Sequence, residues 1–373
     1  MADNPLMKDG LNEAAVERII SGLLKAGADF SPASFRKDAL SSLHRLELKD
    51  RVRHLILVMG RHLPASFPEA AKILGNIRDH WDEGDPSDNL SSFAAWPITD
   101  YVAEYGLNHP DISLPLLRYL TPMYTAEFAI RPFIEAHSKQ TYDELLIWCM
   151  DSNEHVRRLA SEGSRPRLPW GRQLPRFIKD PTDVIALLKN LRDDPSDYVR
   201  RSVANNLNDI SKDHPDLVIE TCQRWLEDAV PERRWIIKHA TRTLVKAGRP
   251  EVFPLLGFTA KPKLDISPPN LSPSVICLGN SLQISAQVCS TSNKKQHVVI
   301  DYAIHFVKAN GKTAPKVFKW KNLQIKPQET ITLNKAHPLK AINTRRYYPG
   351  KHRIELLVNG KSTSDSEFEL IIP

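Results

Sequence analysis

Glu127, Glu162 and Asp209 are the acids whose surroundings could do chemistry. Glu127 stands four residues before Arg131 in AEFAIRP, Glu162 stands four residues after Arg158 in HVRRLASEG, and Asp209 closes the run NNLND. A carboxylate held beside a substrate stabilises positive charge as it develops and accepts a proton from an attacking water. The same spacing also serves ordinary helical ion pairs, Glu127 with Arg131 and Arg158 with Glu162. The residues alone leave both readings open.

Trp170 follows Leu168-Pro169 in SRPRLPWG, a turn stiffened by proline on both sides of Arg167. An exposed indole there could meet a cationic group through its π face; the bland alternative is a ring that plugs a gap between helices. Arg157, Arg158, Arg165, Arg167, Arg172, Arg200 and Arg201 crowd the same stretch, where guanidinium groups and helix N-termini suit phosphates. Further on, Lys316, Lys319 and Lys321 surround Trp320, and Arg345-Arg346 precede Tyr347-Tyr348. Basic residues interleaved with aromatics fit a nucleic-acid surface, although strand alternation would equally put Trp320 and Tyr347 in a core.

Other chemistries lack their residues. There is no Gly-rich phosphate loop, no HExxH, no Ser-His-Asp arrangement and no helix-hairpin-helix signal. Cys149, Cys222, Cys277 and Cys289 form no CxxC pair and have no His cluster at zinc spacing. They read as reduced, buried thiols, with a Cys277–Cys289 bridge as a minor alternative, and no metal is expected. No run approaches ~20 consecutive apolar residues, so no membrane span is expected. Met1–Gly10 has no apolar core of a signal peptide.

The elements that must position these residues change character along the chain. The first 257 residues read as helices joined by short turns. Val16, Ile19, Ile20, Leu23 and Leu24 keep helical spacing up to Gly27, Ser31-Pro32 is a helix start, and further helices are predicted near 49–63, 67–79, 98–106, 111–121, 125–138 and 141–150. A repeat emerges: DSNEHVRRLASE begins at Asp151 and DPSDYVRRSVANNLND begins 43 residues later, at Asp194, with RRWIIKHATRTL as a degenerate third copy. Helix pairs of about 40 residues that open on Asp…Val-Arg resemble HEAT repeats, which bury their apolar faces only by stacking into a solenoid.

Residues 258–273, rich in proline and serine, read as a linker. From 274 to 373 the apolar pattern alternates, in SLQISAQV, HVVIDYAIHFV, ETITLN and HRIELLVNG, with Asn-Gly turn signals in KANGK and VNGK. About seven short strands predict an immunoglobulin-like sandwich. The fold class is therefore α+β multidomain, an all-α HEAT-like solenoid followed by an immunoglobulin-like β-sandwich. Charge divides with it. The chain carries +7 overall, yet the segment from Lys261 onward holds 17 basic and 7 acidic residues, so the excess lies in the last third and favours a polyanion.

TAEFAIRPFI, HVRRLASEGSRPRLPWG and DPSDYVRRSVANNLNDISKDHPDLV together resemble the AlkC family of DNA alkylation repair enzymes, and SRPRLPWG is the most specific part of the match. The resemblance covers essentially the whole helical region. It implies a monofunctional, cofactor-free glycosylase that hydrolyses the N-glycosidic bond of cationic alkylated bases, 3-methyladenine and 3-methylcytosine, in double-stranded DNA. It assigns Glu162, Asp209 and Glu127 to catalysis and Trp170 to the lesion or its sugar. The DNA-binding set is Arg158, Arg165, Arg167, Arg172, Arg200 and Arg201, joined by Lys319, Arg345 and Arg346 from the sandwich. No membrane and no obligate protein partner are implied, and the expected location is the bacterial cytoplasm, with the nucleoid. Two alternatives stand beside this reading. One is a non-catalytic HEAT scaffold that binds DNA or protein; the other is an AlkD-like enzyme that prefers 7-methylguanine.

Overall fold

The computed structural model describes residues 6–342 and 345–372. The Met1–Gly10 segment lies in part, through residue 5, outside them. The described chain forms two compact units, Met1–Asp213 and His214–Pro373. None of its helices is long and apolar enough to cross a membrane.

The first unit is all helical. Its helices begin where the sequence supplies a cap: Asn12 accepts from the Ala15 amide, and Ser31 precedes Pro32 at the first helical position. Leu48–His62, Trp96–Tyr105, Pro110–Leu120 and Ser138–Trp148 fall close to the predicted positions. The helix expected over 125–138 is shorter, Ile130–Ala136, and turns occupy residues before it.

The internal repeat has a plain physical basis. Asp151 Oδ1 accepts from the Asn153 amide at 2.8 Å, and Asp194 Oδ1 accepts from the Ser196 amide at 2.9 Å. Each aspartate thus folds a tight turn that launches a helix, Glu154–Gly163 in one copy and Asp197–Ile210 in the other. Val156 and Val199 are buried at matching positions. Arg157 donates to the carbonyls of Asp151 and Ser152, and Arg200 donates to those of Asp194 and Pro195. The degenerate third copy breaks at Thr241, between Pro231–Ala240 and Arg242–Lys246.

Among the described residues the second unit carries nine strands: β1 (Leu264–Ile266), β2 (Asn270–Ser272), β3 (Val275–Cys277), β4 (Ser281–Ser290), β5 (Gln296–Val307), β6 (Thr313–Ile325), β7 (Thr330–Pro338), β8 (Gly350–Val358) and β9 (Lys361–Ile371). One sheet sets β1 and β2 against β4, which also pairs with β7; the other runs β3-β9-β8-β5-β6, with β3 parallel to β9. Alternate residues of β4 and β5, among them Leu282, Ile284, Val298, Ile300, Tyr302 and Ile304, fill the space between the sheets. The predicted linker is therefore structured, since β1 and β2 add to β4 within it. The helices after residue 213 group with the sandwich rather than with the preceding repeats.

Two glycines explain that grouping. Gly248 (φ +72°) ends a helix, and Gly360 (φ +75°) follows Asn359 (φ +45°) in the β8–β9 turn. A Cβ on Gly360 would stand 2.4 Å from the Gly248 Cα, so only glycine allows these backbones to touch. Asn359 then bridges the Val299 amide and the Thr259 carbonyl.

Candidate active site

All three predicted acids are buried in the first unit, and two guanidinium groups join them. Arg158 Nη1 donates to Glu127 Oε2 at 2.9 Å, and its Nη2 lies 3.7 Å from Glu162 Oε1. Arg165 donates from Nη1 to Glu162 Oε1 at 2.6 Å and from Nε to Asp209 Oδ2 at 2.8 Å. Thr125 on Glu127 and Lys212 on Asp209 Oδ1 at 2.8 Å finish the outer ends, and the Ser202 hydroxyl donates to Glu162 Oε2 at 2.6 Å in the middle. Three carboxylates thus alternate with three cations in one chain of charge-assisted hydrogen bonds, broken only by the longer Arg158–Glu162 ion pair.

Local folding puts them there. Glu162 and Arg158 share the helix Glu154–Gly163, Asp209 ends the neighbouring helix Asp197–Ile210, and Arg165 sits on the loop that leaves the first of these. Burial and the partner charges set the electrostatics. Desolvation raises the Glu127 carboxyl, opposed by Arg158 and reinforced by Glu162. Burial pulls the Arg165 guanidinium down, but Glu162 and Asp209 outweigh it and the group ends above its ordinary value. Arg158 behaves alike under Glu127 and Glu162, with its guanidinium 4.7 Å above the Tyr198 ring.

Trp170 stands apart from this packing. It is 55% exposed, so it does not plug a gap between helices. Its backbone is left-handed, with φ +63°, an uncommon state for a bulky residue. The loop around it hangs on Arg131, which is fully buried and donates to the carbonyls of Gly163, Arg165 and Arg172. Burial lowers the Arg131 guanidinium to about 10. The ion pair expected between Glu127 and Arg131 is replaced by these three carbonyls and by Arg158.

Several expectations about the arginines change. Arg158 and Arg165 lie inside the carboxylate cluster, where the acids compete for them, rather than on a surface free for phosphate. Arg200 is spent on backbone carbonyls, as is Arg157, which also pairs with Asp194 at 2.6 Å in the ladder between repeats. Arg167, Arg172 and Arg201 remain near solvent, paired with Asp213, Glu135 and Asp197. In the sandwich Lys319 and Arg346 are exposed. Arg345 instead lies 4.1 Å over the Phe306 ring, and Trp320 and Tyr347 pack on the core. All four cysteines are free, and Cys277 is exposed rather than buried.

Sequence reasoning passed over Asp100 and Lys49. Asp100 accepts from the Trp96 indole at 2.8 Å, and its other oxygen is buried without a partner among the described residues. Burial, with help from Glu127, pushes its pKa up to about 7 against the pull of Trp96 and Lys49. No motif marks either residue.

A helical-repeat protein with a buried acid–guanidinium chain and an exposed indole, followed by an immunoglobulin-like sandwich, is the class that fold and site define. Residues 124–244 match the family model described as DNA alkylation repair enzyme, and residues 265–372 match that of the YhaZ C-terminal Ig-like domain. The chain is 37% identical over 371 residues to the uncharacterized protein YhaZ of Bacillus subtilis, covering 99% of this chain and 100% of that one. It is also similar to Pseudomonas fluorescens alkylpurine DNA glycosylase AlkC, solved bound to DNA containing an abasic site analog. That match has 36% identity and a TM-score of 0.86, over 98% of this chain and 100% of that one. This chain belongs to the DNA alkylation repair enzyme family.

Proposed function

We propose that this chain is a monofunctional DNA glycosylase that hydrolyses the N-glycosidic bond of cationic alkylated bases, 3-methyladenine and 3-methylcytosine, in duplex DNA. The observation that carries the reading is the run of three buried carboxylates joined through Arg158 and Arg165, in a chain similar over its whole length to an alkylpurine DNA glycosylase.

The chemistry asks little of a general acid. A base alkylated on a ring nitrogen is already positive, so it leaves as a neutral molecule with the electrons of the C1′–N bond. The sugar is left cation-like, and a carboxylate opposite it lowers the barrier. Water then bonds to C1′ and gives its proton to a carboxylate, leaving an abasic site. Glu162 and Asp209, held by the shared Arg165, suit these tasks in a fixed orientation, and Glu127 supports them through Arg158. The exposed indole of Trp170 suits a cationic base or its sugar. Arg167, Arg172 and Arg201 in the helical unit, and Lys319 and Arg346 in the sandwich, are cations of a kind that suits phosphates. No cofactor and no obligate protein partner enter this reading, and such a substrate would keep the protein on the chromosome.

Each acid is neutralised by a cation, and that favours a second reading, a non-catalytic repeat scaffold whose cluster is purely structural. Release of free base from methylated duplex DNA separates the two. The expected result is release of 3-methyladenine and 3-methylcytosine, reduced about 100- to 10,000-fold in Asp209→Asn and Glu162→Gln. These isosteric variants spare the fold better than alanine. Release of 7-methylguanine as well would move the assignment toward AlkD-like specificity. No release by folded, DNA-binding protein would leave the scaffold.

A further inference from the structure

Lys49 lies in the first turn of Leu48–His62, 121 residues before Trp170. Its ammonium donates to the carbonyl of Trp170. Its charge also acts on the buried Asp100 carboxyl, so the side chain spans two parts of the first unit. The other fastenings of the loop lie around this point. Arg131 takes the carbonyls of Gly163, Arg165 and Arg172, the Gly171 amide donates to Leu168 O at 3.1 Å, and the Leu174 amide donates to Pro166 O at 3.0 Å. Pro169 fixes only its own φ. The left-handed backbone of Trp170 is the strained point, and Lys49 holds its carbonyl.

We propose that Lys49 is a positioning residue: by holding the Trp170 carbonyl it keeps the loop in the turn that presents the indole to solvent, ready for a nucleotide. The inference rests on the reading of Trp170 as the contact to the damaged nucleotide. Lys49 is itself exposed, so the competing role is a simple phosphate contact, and the test must separate the two.

The experiment uses the full chain as parent, Lys49→Met, Lys49→Arg, Trp170→Ala and the double variant. Hydrogen exchange is read at the Gly171 and Leu174 amides, base release on methylated duplex, and affinity on undamaged duplex. Lys49→Met is expected to speed exchange at both amides about tenfold and to slow release about tenfold, with affinity for undamaged duplex kept. Lys49→Arg, which can still donate, should restore both. In the Trp170→Ala background Lys49→Met should have no further effect on release. Unchanged exchange would overturn the proposal, and so would an equal loss of release in both backgrounds with weaker binding to undamaged duplex. If the parent releases no base, the glycosylase reading fails, while the exchange measurement still decides what Lys49 does to the loop.

Discussion

In the helical unit Glu162 and Asp209 are 5% and 2% exposed, each within hydrogen-bonding reach of Arg165. The sandwich does the reverse. It carries the basic excess of the chain, yet Lys316, Lys319 and Lys321 stand in solvent, and the titratable groups it buries among the described residues, Asp301, His337 and His352, are not strung into a chain of ion pairs. His337 lies 2.8 Å from the Tyr302 hydroxyl, and burial, with Arg345, Lys335 and Lys316 nearby, lowers it to about 4. Buried ions need partners in fixed geometry, which suits a site that must hold charge against a reacting cation. Surface lysines over an apolar core suit a face that only has to attract a polyanion. Under the function proposed above, the difference assigns chemistry to one region and attraction to the other.

The largest break in this contrast should come from Arg165→Met. It leaves Glu162 and Asp209 buried without their shared partner, at a cost of about 3–5 kcal/mol. Urea unfolding followed by hydrogen exchange should show the loss in Asp197–Ile210 and not in β5. A cost below 1 kcal/mol would mean that water already reaches these acids.

Two pH responses of opposite sign come next. The Asp100 carboxyl keeps its proton to about 7 in the folded chain, while the unfolded chain gives it up near the ordinary 3.8. The helical unit therefore loses stability as pH rises from 4 to 7, by on the order of 2–4 kcal/mol. Asp100→Asn should remove that slope and raise the Tm at pH 8 with little change at pH 4. His337 works the other way: its folded value is about 4 against 6.5 unfolded. The sandwich should be at full strength above 6.5 and weaken as pH falls toward 4, by roughly 2 kcal/mol once partial solvent screening is allowed for. His337→Gln should flatten that limb. Matching slopes in both regions would break the contrast.

The smallest effect on stability, within about 0.5 kcal/mol, is expected from Lys319→Ala. Its effect on binding sharpens the comparison: the slope of log affinity against log salt should fall by about 1 if Lys319 meets a phosphate. An unchanged slope would leave that lysine outside the DNA surface.

Much of the fold was legible from short-range patterns. The repeat that opens at Asp151 and again at Asp194 shows itself because an aspartate, a polar turn and Val-Arg-Arg build one local structure twice. Alternation and Asn359-Gly360 announce a hairpin of the sandwich. The stretch 258–273 looked like a linker because proline and serine mask strands of only three residues, which exist through their pairing with β4. The arginines were the harder case. Spacing places Arg158 beside Glu162 but says nothing of Glu127, 31 residues earlier, or of Asp209, which reaches Arg165 across 44 residues.

The sequence by itself determined where helices start, which turns need glycine, where basic charge collects, and which motif-bearing acids were candidates. Those properties depend on neighbours within a few residues. Only the tertiary structure decided that Arg158 and Arg165 serve carboxylates, that Arg131 serves the Trp170 loop, and that Lys49 and Asp100 belong near it. A buried charge takes its partner from whatever the packing brings within about 3 Å, and a carboxyl takes its pKa from how far water is excluded.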